Sequence, residues 1–282
     1  MPSFISGDCK IYYETHGNGQ PVILINGLIA DHNAWRAVLP ALAERYNIIT
    51  LDNRGTGQSD APQGDYSVEQ MAQDVLNLMG HLSIKNPVIV GHSLGGCIAQ
   101  HIMRNFPQKI RAGVISSSFY KINTVFSHFS QVRKLLYKLD NPRPLLAESI
   151  IPWVYGSHHL SRPGVCKSVM KSHLENRYYQ TEQGYHGQCA AMINFDSRPW
   201  LPEINIPALI LVGSHDLVAL PEESFEIARL IPNAQIKIIH NAGHNPEAEE
   251  SGIFIKELST FITNLDSDVF MNQHLYRNLS KF

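Results

Sequence analysis

The stretch IVGHSLGGCIAQ, residues 89–100, decides the fold. Its apolar start reads as a buried strand. LGGCIAQHIMRNF (94–106), closed by Pro107, has the spacing of a helix. Between them, Gly91-His92-Ser93-Leu94-Gly95 fits G-x-S-x-G, a pattern that carries chemistry only in a strand-to-helix setting. A turn this tight strains the backbone. A glycine on each side removes side chains that would strike the neighbouring strand and helix. Ser93 is then held out at the carboxyl end of the sheet and at the amino end of a helix, where the dipole and free N–H groups favour negative charge. A capping serine in an ordinary turn is the plainer reading, and the rest of the chain chooses between them.

A serine hydroxyl is a weak nucleophile that needs a base, and the base needs an orienting acid. In this setting the chain order is serine, acid, histidine. LILVGSHD (209–216) puts Asp216 just past one apolar strand, and IKIIHNAGH (236–244) puts His244 just past the next. Alone, Asp216 reads equally as a helix cap and His244 as a loop histidine. Three matches in the right order, each at a strand end, favour a triad of Ser93, Asp216 and His244. His215, His240 and Asp196 are weaker rivals: one precedes the acid, one is read inside the strand, one lies before its strand. His92 inside the turn reads as packing or as pocket wall. An oxyanion needs two backbone N–H donors, one after the nucleophile and one from the loop after an early strand. Those are Leu94 and, from LINGLIADHNAW (24–35), Leu28; Asn26-Gly27 opens that loop.

Outward from this core, strand and helix signals alternate. Strand-like runs occur at 9–17, 21–27, 47–52, 87–93, 110–118, 206–213 and 234–240. Helix-like runs occur at 34–46, 67–82, 94–106, 221–231 and 246–265, with Ser67 and Gln70 spaced as a capping box. Alternation predicts an α/β fold with a mostly parallel sheet covered on both faces. Residues 119–200 interrupt it with helix-like segments and no comparable strand. The expected division is a core of 1–118 and 201–265, a helical insertion of 119–200, and a C-terminal extension of 266–282.

The 282 residues carry a net charge of −2, which argues against nucleic acid as partner. No apolar run reaches the ~18 residues of a membrane span. MPSFISGDCK does not read as a signal peptide. Cys9, Cys97, Cys166 and Cys189 are scattered, which suggests neither zinc nor disulfides and places the chain in a reducing cytoplasm. The histidines at 158, 159, 173 and 186 match no compact ligand set, so neither metal nor cofactor is expected.

NGLIADHNAW, LDNRGTGQSD, VGHSLGG, LILVGSHDLV and NAGHNPEAEE together resemble the α/β-hydrolase superfamily across most of residues 10–265. The resemblance implies an eight-stranded sheet with an inserted helical cap, Ser93 as nucleophile, Asp216 as acid and His244 as base. SIIPWVYG and NFDSRPWLPEINIPALILVG look like the 3-oxoadipate enol-lactonases, near small carboxylesterases and methyl-ester hydrolases. Many relatives have His-Gly where this chain has Asn26-Gly27; the backbone donors do not depend on that side chain. A serine nucleophile argues against the dehalogenases and epoxide hydrolases, which use Asp there. In DNRGTGQSD, Asp52 and Arg54 read as loop braces.

Residues 119–200 hold ten Lys and Arg against five Asp and Glu, a net +5, while the remainder carries −7. A basic lid over a pocket would draw an anionic substrate, a carboxylate-bearing lactone or an acidic acyl-carrier protein. Solvated helix faces are the plainer reading. Trp153 and Tyr155, with Tyr178, Tyr179 and Phe195, are candidates for the pocket wall or for the cap's own core. The expected activity is hydrolysis of a small carboxylic ester through an acyl-enzyme. Lactones, thioesters, methyl esters, carbon–carbon cleavage and peracid formation are alternatives on the same triad. A non-catalytic binding protein and a homodimer are also considered.

Overall fold

The apolar runs pair with one another. In the computed structural model, which describes residues 2–265, eight strands form one sheet: β1 (Ser3–Ser6), β2 (Cys9–His16), β3 (Gln20–Ile25), β4 (Tyr46–Leu51), β5 (Val88–His92), β6 (Ala112–Ser116), β7 (Ala208–Gly213) and β8 (Ala234–Ile239). Their order is β1-β2-β4-β3-β5-β6-β7-β8. β1 with β2 and β2 with β4 pair antiparallel; the remaining pairs are parallel. Every residue of β5, β6 and β7 is buried, as continuous apolar runs require of strands covered on both faces.

The period-two alternation divides those side chains between two cores. Ile23, Ile25, Ile89 and Ile115 face one side, covered by α2 (Val68–His81) and α3 (Leu94–Asn105). Val22, Leu24, Val90 and Val114 face the other, packed against Trp35, Leu42, Phe254 and Leu258. Ser67 caps α2 by accepting from the Gln70 N–H at 3.1 Å.

Three local readings change. β1 is a strand of four residues, too short for its alternation to stand out. The helix expected over 34–46 is a 3-10 helix (His32–Ala37) followed by α1 (Leu39–Ala43). Pro40 lacks the N–H that a continuous helix would need there. The last helix is α10 (Pro246–Glu249) and α11 (Ser251–Asn264), separated at Glu250, whose backbone is not helical (φ −135°, ψ 54°).

Between β6 and β7 lie five helices, α4 (Thr124–Leu136), α5 (Arg143–Val154), α6 (Ser157–Leu160), α7 (Val165–Glu175) and α8 (Glu182–Ile193); α9 (Pro221–Leu230) follows β7. The two ends of that helical segment meet: Lys121 and Asp196 form an isolated bridge, and their side chains pair at 3.0 Å. The C-terminal extension expected at 266–282 lies outside the described residues. No helix among the described residues is long and apolar enough to cross a membrane.

Candidate active site

Ser93, Asp216 and His244 each follow the carboxyl end of a parallel strand: β5, β7 and β8. Ser93 sits at φ 53°, a left-handed conformation that side chains other than glycine seldom adopt. Its N–H donates to the Ser116 carbonyl at 2.9 Å, and its carbonyl accepts from Ser118 Oγ at 2.7 Å, so the end of β6 and the residues just after it hold the turn. The glycines are obligatory. A Cβ on Gly91 would lie 2.0 Å from the Gly95 carbonyl oxygen, and one on Gly95 would lie 2.2 Å from that of Ile25. Backbone strain held by its surroundings in this way is a mark of functional turns.

Asp216 is buried, and its Oδ1 accepts from the Val218 and Ala219 N–H groups at 2.9 and 3.0 Å. Both carboxylate oxygens lie 3.0 Å from His244 Nδ1. That pairing puts the Nδ1 proton against Asp216 and leaves Nε2 as the ring's basic nitrogen. The loop that carries His244 is fastened twice. His92 Nε2 donates to the His244 carbonyl at 2.7 Å. Burial first, and the His244 ring second, push His92 down to about 3, so it is neutral at pH 7 and keeps its proton on Nε2. Glu249 accepts from the Gly156, Gly243 and Asn245 N–H groups at 2.8, 3.0 and 3.1 Å, which ties this loop to the helical segment. Burial raises the Glu249 carboxyl, and those N–H bonds pull it back.

Ser93, His244, Gly27, Leu28, His92 and Tyr155 line one cavity of about 750 Å³. The N–H groups of Leu28 and Leu94 donate to no other backbone group in the turns and loops of the described residues. Two expected wall residues lie elsewhere. Asn26 is buried behind the loop, donating from Nδ2 to the Leu51 carbonyl at 3.0 Å, while its own carbonyl accepts from Asn53. Trp153 stacks on Phe129 with ring centres 4.8 Å apart and meets Phe126 edge-on at 5.9 Å. Both packings come from partners distant in sequence, which local patterning does not reveal. His215, His240 and Asp196 are exposed, and His240 lies one residue past β8 rather than within it.

Two cavity residues were not singled out from the sequence. Glu247 is 3% exposed, and its Oε2 has no partner among the described residues. Burial pushes its carboxyl up to about 8. Arg133, counted above only as part of the lid's charge, is 2% exposed. It stands on the buried stripe of α4 with Phe126 and Ser130, so an arginine at an inward helical spacing was the available signal.

Among the described residues, Asp31, His32 and Asp52 are the group whose ligand atoms gather closely enough for a metal, within 4.8 Å. Their hydrogen bonds account for them as a loop brace: Asp52 accepts from His32 N at 2.6 Å, lies 2.9 Å from His32 Nδ1, and accepts from Gln58 N at 2.8 Å. Arg54 likewise makes a two-pronged pair with Asp74 at 2.7 and 2.9 Å.

An eight-stranded, mostly parallel sheet in this order defines a class of fold, and the same class follows from similarity to known proteins. The chain belongs to the alpha/beta hydrolase fold family, which matches residues 20–250. A protein of Azorhizobium caulinodans with the provisional name carbamate hydrolase RutD is 24% identical over 266 residues, 94% of this chain and 100% of that one. The 3-oxoadipate enol-lactonase 2 of Acinetobacter baylyi is 24% identical over 249 residues, 88% of this chain and 91% of its own. The crystal structure of the enol-lactonase from Burkholderia xenovorans LB400 superposes with a TM-score of 0.85 at 26% identity, over 93% of this chain and 100% of that one. The chain is an enzyme, a hydrolase of this fold.

Proposed function

We propose that this hydrolase cleaves a carboxylic ester of a small molecule through an acyl-enzyme on Ser93. The observation that carries the reading is a shared wall: Ser93, strained at φ 53°, opens on the same cavity as His244, whose Nδ1 is held by Asp216. His244 Nε2 takes the Ser93 proton as Oγ bonds to the ester carbonyl carbon. The carbonyl oxygen becomes an oxyanion, held by the Leu28 and Leu94 N–H groups and by the amino end of α3. The tetrahedral centre collapses, the carbon–oxygen bond to the alcohol breaks, and His244 returns its proton to the departing oxygen. Water then enters and gives a proton to His244 as its oxygen bonds to the acyl carbon. The second tetrahedral centre collapses, the bond to Ser93 Oγ breaks to release the acid, and His244 returns the proton to Oγ. Asp216 orients the ring and stabilises its cationic form without taking the proton.

Residues 119–200 serve as a cap, since Tyr155, Val169 and Arg133 from its helices form part of the cavity wall. The cavity volume suits a small molecule. Three buried cysteines and an exposed Cys166, all free thiols, support a cytoplasmic setting. A lactone is the second reading, favoured by the two relatives named as enol-lactonases. The same steps apply, with the leaving oxygen tethered to the acyl group.

Hydrolysis of 4-nitrophenyl esters from acetate to decanoate, wild type beside Ser93→Ala, tests this. Turnover by the wild type and a loss of about 10⁴-fold or more in the variant are expected. Equal activity in both removes Ser93 from the mechanism.

A further inference from the structure

Helix α4 carries Phe126, Ser130 and Arg133 on its buried stripe, where packing calls for apolar side chains. A guanidinium is always charged, and an unpaired buried charge is costly. Yet Arg133, at 2% exposure, has no carboxylate partner among the described residues. Its Nη1 donates to the Leu146 carbonyl and to Ser149 Oγ, both at 2.6 Å and both neutral. Its Nε has no hydrogen-bond partner. The rings of Phe129 and Tyr185 flank it at 5.9 and 5.5 Å, a setting for a cation that supplies no opposite charge.

Arg133 lines the same cavity as Ser93 and His244. It also borders a void of about 20 Å³ beside Gln180, whose Oε1 is likewise unpartnered. That void is the size of one water, which would supply hydrogen bonds and no charge. Among the described residues, no acidic group around the cavity forms an ion pair with Arg133 either. Asp31 is engaged by Asn33 N and Asn176 Nδ2, both at 2.8 Å. Glu175 is exposed beside Lys171. Glu247, pushed up to about 8 by burial, is largely uncharged at pH 7. Arg36, which donates to Ser172 Oγ, and Arg177 add two further cations to the wall, and both are exposed. His173 is held neutral, at about 4, by burial first and then by Arg133 and Arg36.

We infer that Arg133 is the receptor for a carboxylate on the substrate, distant from the bond that is cut, and that the natural ester or lactone is therefore an anion. This rests on Ser93 as the nucleophile and narrows what that serine meets. The cap's net positive charge thus resolves into one buried cation that a substrate can reach through the cavity, while most other basic residues of 119–200 are exposed or half-buried. Arg133 selects and positions substrate; it takes no part in proton transfer.

The test compares mono-4-nitrophenyl esters of succinate, glutarate, adipate and suberate with their methyl-capped neutral counterparts. Wild-type kcat/KM is expected to favour the free carboxylate by about ten- to a hundredfold at one chain length, the strength of a charged hydrogen-bonded pair. Arg133→Met should bring that ratio to about one, and Arg133→Lys should restore part of it. A residue that merely braces α4 on α5 would change stability and leave the ratio alone. If Arg133→Met does not fold, the wild-type ratio and its change in Arg133→Lys decide. A wild-type ratio of one or below at every length, or the same preference in the Met or Lys variant, overturns the inference. Fluorophosphonate labelling separates the two readings. A chain that labels at Ser93 and turns over neutral esters without preferring anions retains the serine mechanism and loses only the carboxylate receptor. A chain that neither labels nor turns over loses both.

Discussion

The carboxyl edge of the sheet and the helices over it were built by different rules. At the sheet edge, Ser93, Asp216 and His244 are placed by backbone: each follows a fully apolar or partly apolar strand, and main-chain N–H groups fix the turn or the carboxylate. In the helical segment, the proposed carboxylate receptor rests on side chains meeting across helices, with Arg133 of α4 bonded to α5 and flanked by Phe129 and Tyr185. The first arrangement is local and, on the proposed mechanism, carries the reaction. The second is tertiary and, on the proposed role of Arg133, chooses the substrate. A hydrolase can thus keep its chemistry while its lid changes what it accepts.

The sharpest way to break that division is to alter the edge. His244→Ala should lower kcat by about 10⁶-fold in the ester assay, because nucleophile and base act as a unit. Asp216→Asn keeps the shape but disturbs the tautomer, and about 10⁴-fold is expected. A smaller effect sharpens the comparison. His92→Phe removes the Nε2–H donation to the His244 carbonyl while keeping a ring beside Trp35. A fall of about tenfold in kcat/KM is expected, the worth of one buried hydrogen bond. A fall as large as that of Asp216→Asn would make His92 part of the reacting machinery.

The smallest effect concerns stability. Glu247 is raised from the ordinary carboxylate range to about 8 by burial. The folded chain therefore holds a proton that the unfolded chain has released. Stability is full below the unfolded value, near pH 4, and declines as pH rises towards 8. Glu247→Gln removes that decline. Thermal melting at pH 9 should show the variant higher than the wild type, with little difference at pH 4.5. Equal melting at both pH values would show that Glu247 is solvated.

The sheet, its connections and the three strand-end residues were legible because period-two and continuous apolar runs, G-x-S-x-G and chain order are all local signals. The lid was legible only as an interruption with excess positive charge. Trp153 reads equally as pocket wall and as the cap's own core, and the stack on Phe129 of another helix decides for the core. Asn26 reads as part of the pocket, yet it braces Leu51. In both cases the deciding neighbour is remote in sequence. Arg133 is the converse: its inward spacing on α4 was visible, but whether a carboxylate would meet it there was not.

The most direct test of the account is to trap the acyl-enzyme. Wild type, quenched in acid within milliseconds of mixing with excess 4-nitrophenyl ester, should gain the mass of one acyl group. Digestion should place it on the peptide containing Ser93, and Ser93→Ala should gain none. Turnover with no adduct under any quench, or an adduct on another residue that persists in Ser93→Ala, would contradict the acyl-enzyme mechanism.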